Sequence, residues 1–419
     1  MEALRDGVDR FLWLHFENDR LSSGTGRGLE ACQQGALSRE DDDCSEHQND
    51  GDFESLYHHT EHDFPPLEGA ELDVRGMHNR RSVYQGCNAM DKPKPVVAIV
   101  GPTAVGKTAT AIRLALEFDG EVVSVDSRYF YRGMDIGTDK PSVEERQGVP
   151  HHFIDILDPR DEYSLALFQR DARRAIEEIQ ARGKLPIVTG GTPLYFRALL
   201  EGWKIPPAPP NPELRAQLEL RAREEGPEVL HRELAMVDPA AAARIPPTNV
   251  RRVIRALEVF MTTGRPMTEL EGKEPPDWRV LWIGLTMPRE ELYRRIDERV
   301  ERQIARGLVD EVRRLLREGV PPTVPAMTAL GYRQIVAYLE GKITLEEAIA
   351  RIKYDTHRYA RHQMTWLRRL EQVEWYDVTE AGWYEAVRER VRTFLEEETG
   401  WTCDDVYRGG GGKTIAPRA

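Results

Sequence analysis

The sequence predicts an α/β fold: a parallel sheet flanked by helices, carrying an all-helical insertion and a helical carboxyl-terminal part. Three observations predict it. The apolar run Pro95-Val-Val-Ala-Ile-Val100 ends in a glycine-rich turn, Gly101-Pro102-Thr103-Ala104-Val105-Gly106-Lys107-Thr108, that passes into a helix. Short apolar runs and amphipathic segments then alternate to about residue 204, the pattern of parallel strands joined by crossover helices. Two proline-rich joints, Ile205–Pro212 and Gly272–Trp278, bracket a stretch that reads as helix throughout, as a lid hinged at two points would.

The turn satisfies GxxxxGK[ST] between a strand and a helix, the context a phosphate loop requires. Its glycines let the backbone fold close around an anion, and the free N–H groups of the helix start point inward. Lys107 adds a point charge, and the Thr108 hydroxyl can ligate a Mg²⁺ ion already held by phosphates. The sheet is therefore expected to be P-loop NTPase-like. The motif alone leaves open which phosphates sit there.

In chain order, Ala109 to Phe118 continues the first helix, Gly120 ends it, and Glu121-Val-Val-Ser-Val-Asp126 is a second buried strand. Asp126 stands at the strand's carboxyl end, where open parallel sheets place ligands. Ser127 to Pro141 is a polar-aromatic loop with little regular period, and loops of that kind beside a site are commonly functional. His151-His152-Phe-Ile-Asp-Ile-Leu-Asp158-Pro supplies a third strand. Its two histidines are adjacent, so they point to opposite faces and read as structural rather than metal-binding. Ser164 caps a helix over 165–182, Leu185 to Thr189 is the next strand, and Gly190-Gly191-Thr192 turns into a helix at Pro193. Thr192 serves either as a plain helix cap or as a ligand contact. The last helix of the insertion carries Arg251, Arg252 and Arg255 at spacings that share a face. Val280 to Leu285 is a strand, and beyond residue 289 everything except a short strand at 373–377 reads as helix. Arg351 to Arg369 holds eight Arg, Lys or His residues and one acid, Asp355, with Tyr354, Tyr359 and Trp366 interleaved. That bias suggests a surface facing a polyanion.

Composition sets the outer bounds. The 419 residues, 40% hydrophobic and 31% charged, are enough for a sizeable core and two or three units. The net charge of -13 is unevenly placed: residues 1–90 hold 19 Asp and Glu against 8 Arg and no Lys. The remainder is close to neutral, so the acidic total does not argue against a nucleic-acid partner. No apolar run approaches the roughly 18 residues that span a bilayer, and the opening residues lack a signal-peptide pattern, so no membrane partner and a cytoplasmic protein are expected. Cys32, Cys44, Cys87 and Cys403 lie near the two ends, which leaves neither a disulfide framework nor a CxxC zinc site between them. The regions read as an acidic, disordered arm (1–90), a first core part (91–204), the helical insertion (205–278), a second and mostly helical core part (279–400) and a flexible tail (401–419). Met90 leads directly into the first strand and is a second candidate start.

Several of these segments together resemble the tRNA dimethylallyltransferase (tRNA isopentenyltransferase) family of bacterial type. The motifs, in order over about Pro95 to Glu398, are GPTAVGKT, DSRYFYRGMDIGTDKPS, HHFIDILDP, GKLPIVTGGTPLYFRALLEG, RRVIRALEVF with TGRPMTEL, RIDERV with GLVDEVRRLL, and ALGYRQ. The resemblance implies transfer of a dimethylallyl group from dimethylallyl diphosphate to N6 of the adenosine just 3′ of the tRNA anticodon, adenosine-37, giving N6-(dimethylallyl)adenosine and diphosphate. Loops of this pattern are commonly described as ATP-binding; the resemblance implies instead that Gly101 to Thr108 cradles the diphosphate of the prenyl donor, with Mg²⁺ near Thr108. It further implies Asp126 as general base, Thr192 holding the amine or base beside it, and Lys107, Arg252 and Arg255 stabilising the leaving diphosphate. Contacts to the anticodon stem-loop fall on Asp126, Ser127, Arg128, Tyr129, Thr192, Arg215, Arg251, Arg252, Val253, Ile254 and Arg255. The target base must be flipped out of its stack to react, and a monomer is expected.

The acidic arm has no counterpart in the family, the zinc-binding extension of eukaryotic relatives is absent, and Arg128-Tyr129-Phe130 carries aromatics where polar residues are also common. Three rival readings use parts of the same residues. They are an isopentenyltransferase acting on free adenine nucleotide, a small-molecule kinase with ATP in the loop, and a non-enzymatic RNA-binding module. The last leaves Asp126 and the loop unused.

Overall fold

The structure, a computed structural model, describes residues 94–399; the acidic arm and the tail lie outside them. The chain forms two compact units, the insertion Pro206–Glu271 and the core that flanks it on both sides in sequence.

The first half of the core runs β1 (Lys94–Val100), α1 (Lys107–Glu117), β2 (Gly120–Ser124), β3 (His151–His152), α2 (Leu165–Ala181), β4 (Leu185–Thr189), α3 (Pro193–Leu200) and β5 (Trp203–Lys204). After the insertion the core resumes with β6 (Gly272–Lys273) and β7 (Trp278–Thr286), ending, beyond further helices, with β8 (Val373–Asp377). Six strands form one sheet in the order β3-β2-β4-β1-β7-β8, and every pairing in it is parallel. β5 and β6 form a separate antiparallel ribbon. β1 shows why the middle of the sheet reads as an unbroken apolar run. Val96, Ala98 and Val100 belong to the hydrophobic cluster on one face, Val97 and Ile99 to the cluster on the other, because successive side chains on a strand alternate and helices cover both faces.

Two expected boundaries shift. The strand expected at 151–159 is only His151–His152. Phe153 and Asp155 then take positive φ values of 64° and 59°, and the chain bends so that Leu157 bridges to Tyr131. The strand expected to run to Asp126 ends at Ser124, although the Val125 amide still donates to the Thr189 carbonyl at 2.7 Å. Asp126 is thus the second residue beyond the strand and free to turn.

Within the insertion lie α4 (Pro212–Glu224), α5 (Pro227–Val237), α6 (Pro239–Arg244), α7 (Val250–Thr263) and α8 (Met267–Leu270). They pack around their own core of Leu218, Leu230, Leu234, Val253, Ile254 and Leu257. Asn211 and Asn249 cap α4 and α7 with their side chains. The second proline-rich joint contributes β6 and the start of β7 to the core, so the compact unit is narrower than 205–278.

The second half of the core adds α9 (Arg289–Ala305), α10 (Leu308–Arg317), a single 3₁₀ turn at Pro325–Thr328, α11 (Tyr332–Leu339), α12 (Leu345–Leu367) and α13 (Trp383–Thr399). Thr344 and Glu347 close a reciprocal cap at the start of α12. Among the described residues no helix is long and apolar enough to cross a membrane.

Candidate active site

Gly101 leaves β1 at φ +150°, where a β-carbon would stand 2.5 Å from the Leu285 carbonyl oxygen of β7; only glycine fits so close to a neighbouring strand. Gly106, at φ 104°, opens α1, and no acidic residue lies in that helix's first turn, so its amides keep their positive field. The Lys107 ammonium is buried and donates to the Pro102 carbonyl at 2.7 Å. Burial pulls its pKa down to about 7; the Asp126 carboxylate opposes that shift and the Arg299 guanidinium reinforces it.

Asp126 forms the facing wall. One carboxylate oxygen accepts the Arg128 amide at 3.0 Å. Burial pushes the carboxyl above its ordinary range, against the pull of that amide and of Lys107, Arg128 and Arg299. The Ser127 amide donates to Thr192 Oγ1 at 3.3 Å, and the two hydroxyls are 3.4 Å apart. Thr192 occupies the N-cap position of α3 without making a side-chain cap bond, so its hydroxyl is engaged by Ser127 and not by the helix. Tyr129 donates to the Asp139 carbonyl at 3.1 Å and its hydroxyl also interacts with Thr108. Arg128 turns to the Pro325 carbonyl at 2.9 Å. Phe130 is buried among Phe153, Tyr163, Phe168 and Tyr195. Of the aromatics in that loop, Tyr129 adjoins the site and Phe130 anchors the segment from beneath.

Of four further side chains at or behind this wall, the sequence marks only Tyr359, and that as part of the basic stretch. Arg299 of α9 donates to Thr103 Oγ1 at 3.0 Å and to the Thr138 carbonyl at 3.2 Å. Gln363 of α12 accepts the Thr103 amide at 2.9 Å and donates to the Gly191 carbonyl at 2.7 Å. Tyr359, one turn earlier, donates to the same carbonyl at 2.7 Å. Glu311 of α10 accepts the amides of Asp135, Ile136 and Gly137 at 2.9, 2.8 and 3.1 Å and the Tyr332 hydroxyl at 2.5 Å. Three loop amides and one hydroxyl on a single carboxylate fix the loop that carries Asp139 against α10 and α11. Arg299 and Glu311 lie in RIDERV and GLVDEVRRLL, segments whose charges alternate like any solvated helix. Nothing in their spacing marked these two as turned inward.

The basic stretch Arg351 to Arg369 divides. Lys353 pairs with Glu301 at 2.7 Å and His357 with Asp297 at 2.9 Å, Tyr359 turns to Gly191, and Tyr354 stays 63% exposed. Lys353 is thus paired with an acid at the surface and Tyr359 is used inside the fold, so not every residue of the stretch faces outward unpaired.

In the insertion, Glu258 is fully buried and accepts Arg215 at 2.8 Å, the Asn211 amide at 2.6 Å and Arg255 at 2.6 Å. Burial would raise its carboxyl; the hydrogen bonds from Arg215, the Asn211 amide and Arg255 outweigh that and hold it below the ordinary range. Arg215 and Arg255 thus carry a packing duty. Val253 and Ile254 are buried in the insertion's core, so their side chains hold α7 in place and are not surfaces for RNA. Arg252 is half-buried and Arg251 exposed on that helix.

A phosphate loop at the carboxyl end of β1, faced by a half-buried carboxylate just beyond the end of β2, two strands away across β4, defines a transferase of P-loop-like fold. The comparisons narrow it. A family model described as IPP transferase matches residues 129–370, and one described as Isopentenyl transferase matches 94–160. The tRNA dimethylallyltransferase of Thermomicrobium roseum is 78% identical over 330 residues, covering 79% of this chain and all of that one. The tRNA dimethylallyltransferase of a Roseiflexus species is 57% identical over 279 residues, 67% of this chain and 92% of its own. Among solved structures, the tRNA isopentenylpyrophosphate transferase of Bacillus halodurans aligns with a TM-score of 0.56 at 42% identity, covering 73% of this chain and 98% of that one. A eukaryotic dimethylallyltransferase acting on tRNA aligns at 0.64 and 29%, covering 73% and 80%. The chain belongs to the tRNA dimethylallyltransferase family and is a prenyl-transferring enzyme with a tRNA substrate.

Proposed function

We propose that the phosphate loop holds the diphosphate of dimethylallyl diphosphate and that Asp126 accepts the proton released when the adenine amine attacks. One observation carries the reading: the half-buried Asp126 carboxylate, anchored by the Arg128 amide and with its pKa raised, faces the buried lysine of the loop. In the step itself, the allylic C–O bond breaks and its electron pair leaves with the diphosphate. The N6–C bond forms, and a proton passes from N6 to Asp126. A raised carboxyl is the stronger base. The inward amides of α1, Lys107 and Arg299 meet the charge that develops on the departing diphosphate. Thr192, placed by its contact with Ser127, orients the amine.

Among the described residues no group of three or more His, Cys, Asp or Glu side chains could hold a metal ion. That suits Mg²⁺ carried in by the diphosphate with the Thr108 hydroxyl as its protein ligand, since this ion prefers phosphate oxygens and water to an all-protein cage. Bound there, it would neutralise charge on the leaving group. Asp126 to Tyr129, Thr192, Arg215, Arg251 and Arg252 are proposed to meet the anticodon stem-loop.

The deciding experiment offers the protein bulk unmodified tRNA and labelled donor, maps the labelled base, and runs AMP as acceptor and ATP as competitor alongside. Label on the adenosine 3′ of the anticodon supports the reading. Transfer to AMP alone, or displacement of the donor by ATP at comparable concentration, overturns it.

A further inference from the structure

The side chain of Gln363 is 99% buried and joins two segments that are 88 positions apart in the chain, counting from Thr103 to Gly191. Its Oε1 takes the amide of Thr103 in the phosphate loop at 2.9 Å, and its Nε2 reaches the carbonyl of Gly191 at 2.7 Å. An amide proton can only donate and a carbonyl oxygen can only accept, so the orientation of the carboxamide is fixed by its partners. Gly191 is the residue against which Asp126 rests: a β-carbon there would be 2.7 Å from Asp126 Oδ2. Tyr359 adds a second donor to the same carbonyl at 2.7 Å from the same face of α12. One helix therefore ties the loop that would hold the donor to the shelf that holds the base.

We infer that Gln363 is a positioning residue that sets the distance between the phosphate loop and Asp126, and hence the alignment of the leaving diphosphate with the attacking amine. As a link between the two segments, Gln363 is expected to contribute chiefly to the chemical step. Of the common side chains, only a carboxamide accepts and donates in this geometry at neutral pH. A leucine does neither, and an ionised glutamate can only accept. A protonated glutamate does both, and burial raises a glutamate's pKa toward the working range.

The inference rests on the prenyl-transfer reading, and the test separates the two: a wild-type protein that modifies no tRNA would fail that reading before any variant is compared. The measurements are single-turnover rate at saturating tRNA and donor, equilibrium donor binding, and a thermal melt. Gln363→Leu is expected to slow the chemical step about a hundredfold, the scale of a misalignment near 1 Å, with donor affinity within about threefold of wild type. Gln363→Glu is expected to be slow at pH 8 and to recover relative to wild type as the pH falls to 6. A wild-type rate in Gln363→Leu, or a loss found wholly in donor affinity, overturns the inference. If the leucine variant does not fold, the near-isosteric Gln363→Glu decides: a ratio to wild type that stays flat with pH overturns it equally.

Discussion

Asp126 and Gly191 are pressed together: a single β-carbon on the glycine would fall 2.7 Å from the aspartate's Oδ2, while the other carboxylate oxygen is held by the Arg128 amide. The carboxylate cannot retreat without giving up that bond. Gly191→Ala is therefore expected to fold normally and bind donor, yet lower the single-turnover rate by about a hundredfold through displacement of the base. A wild-type rate in this variant would show that the carboxylate's position is immaterial.

Replacing the base itself is the stricter test. Asp126→Asn keeps the shape and the acceptor for the Arg128 amide but cannot take a proton. Donor and tRNA binding should persist while the single-turnover rate drops by about two to four orders of magnitude, the usual contribution of a general base. Full activity would remove Asp126 from the mechanism.

How much of this was legible in advance follows from the range of the signals. Strand β4, strand β8 and helix α2 are local patterns, apolar runs or a capped helical period, and their boundaries came out within a residue of expectation. Lys107 stood in a loop motif that opens a helix, and Asp126 and Thr192 just beyond strand ends, where a parallel sheet collects ligands. Arg299, Glu311 and Gln363 reach the site across 196, 174 and 260 positions of chain, and no spacing records such a contact. Val253 and Ile254 mislead for a different reason. They share a segment with Arg251, Arg252 and Arg255, but the helical period turns the two apolar side chains inward.

Lys107 supplies a prediction in pH. Its folded pKa is lowered to about 7, so between pH 7 and its ordinary value the unfolded chain binds the extra proton and the folded one does not, and this group's contribution to stability rises with pH across that window. Binding of a diphosphate favours the charged lysine and must then draw in a proton. Calorimetry at pH 8 in two buffers of different ionisation heat should show an uptake approaching one proton per donor bound. Donor affinity should fall as pH rises above 7, and both effects should vanish in Lys107→Ala. Binding without proton uptake would mean that the ammonium is already charged in the free enzyme.

Arg215 and Arg255 raise the question of whether residues expected to meet tRNA instead hold the insertion together. Both end on Glu258, whose side chain has no exposure, while their own are 18% and 27% exposed. The buried acid keeps its charge through these two arginines and the Asn211 amide, so Glu258→Ala should cost about 3 kcal/mol of unfolding free energy. Its folded carboxyl is lowered, so its stabilising contribution is complete above the ordinary glutamate range and is lost as pH falls through the lowered value. Arg255→Ala should cost less, because its partly exposed guanidinium is screened, and a double-mutant cycle with Glu258→Ala, read by urea unfolding, should give a coupling of about 1 kcal/mol or more. Additive losses would show that the two side chains act separately and leave Arg255 to the RNA. A strong coupling would mean that any drop in tRNA affinity on replacing Arg255 includes the loosening of α7, and must be compared with the drop caused by Glu258→Ala before a direct contact is inferred.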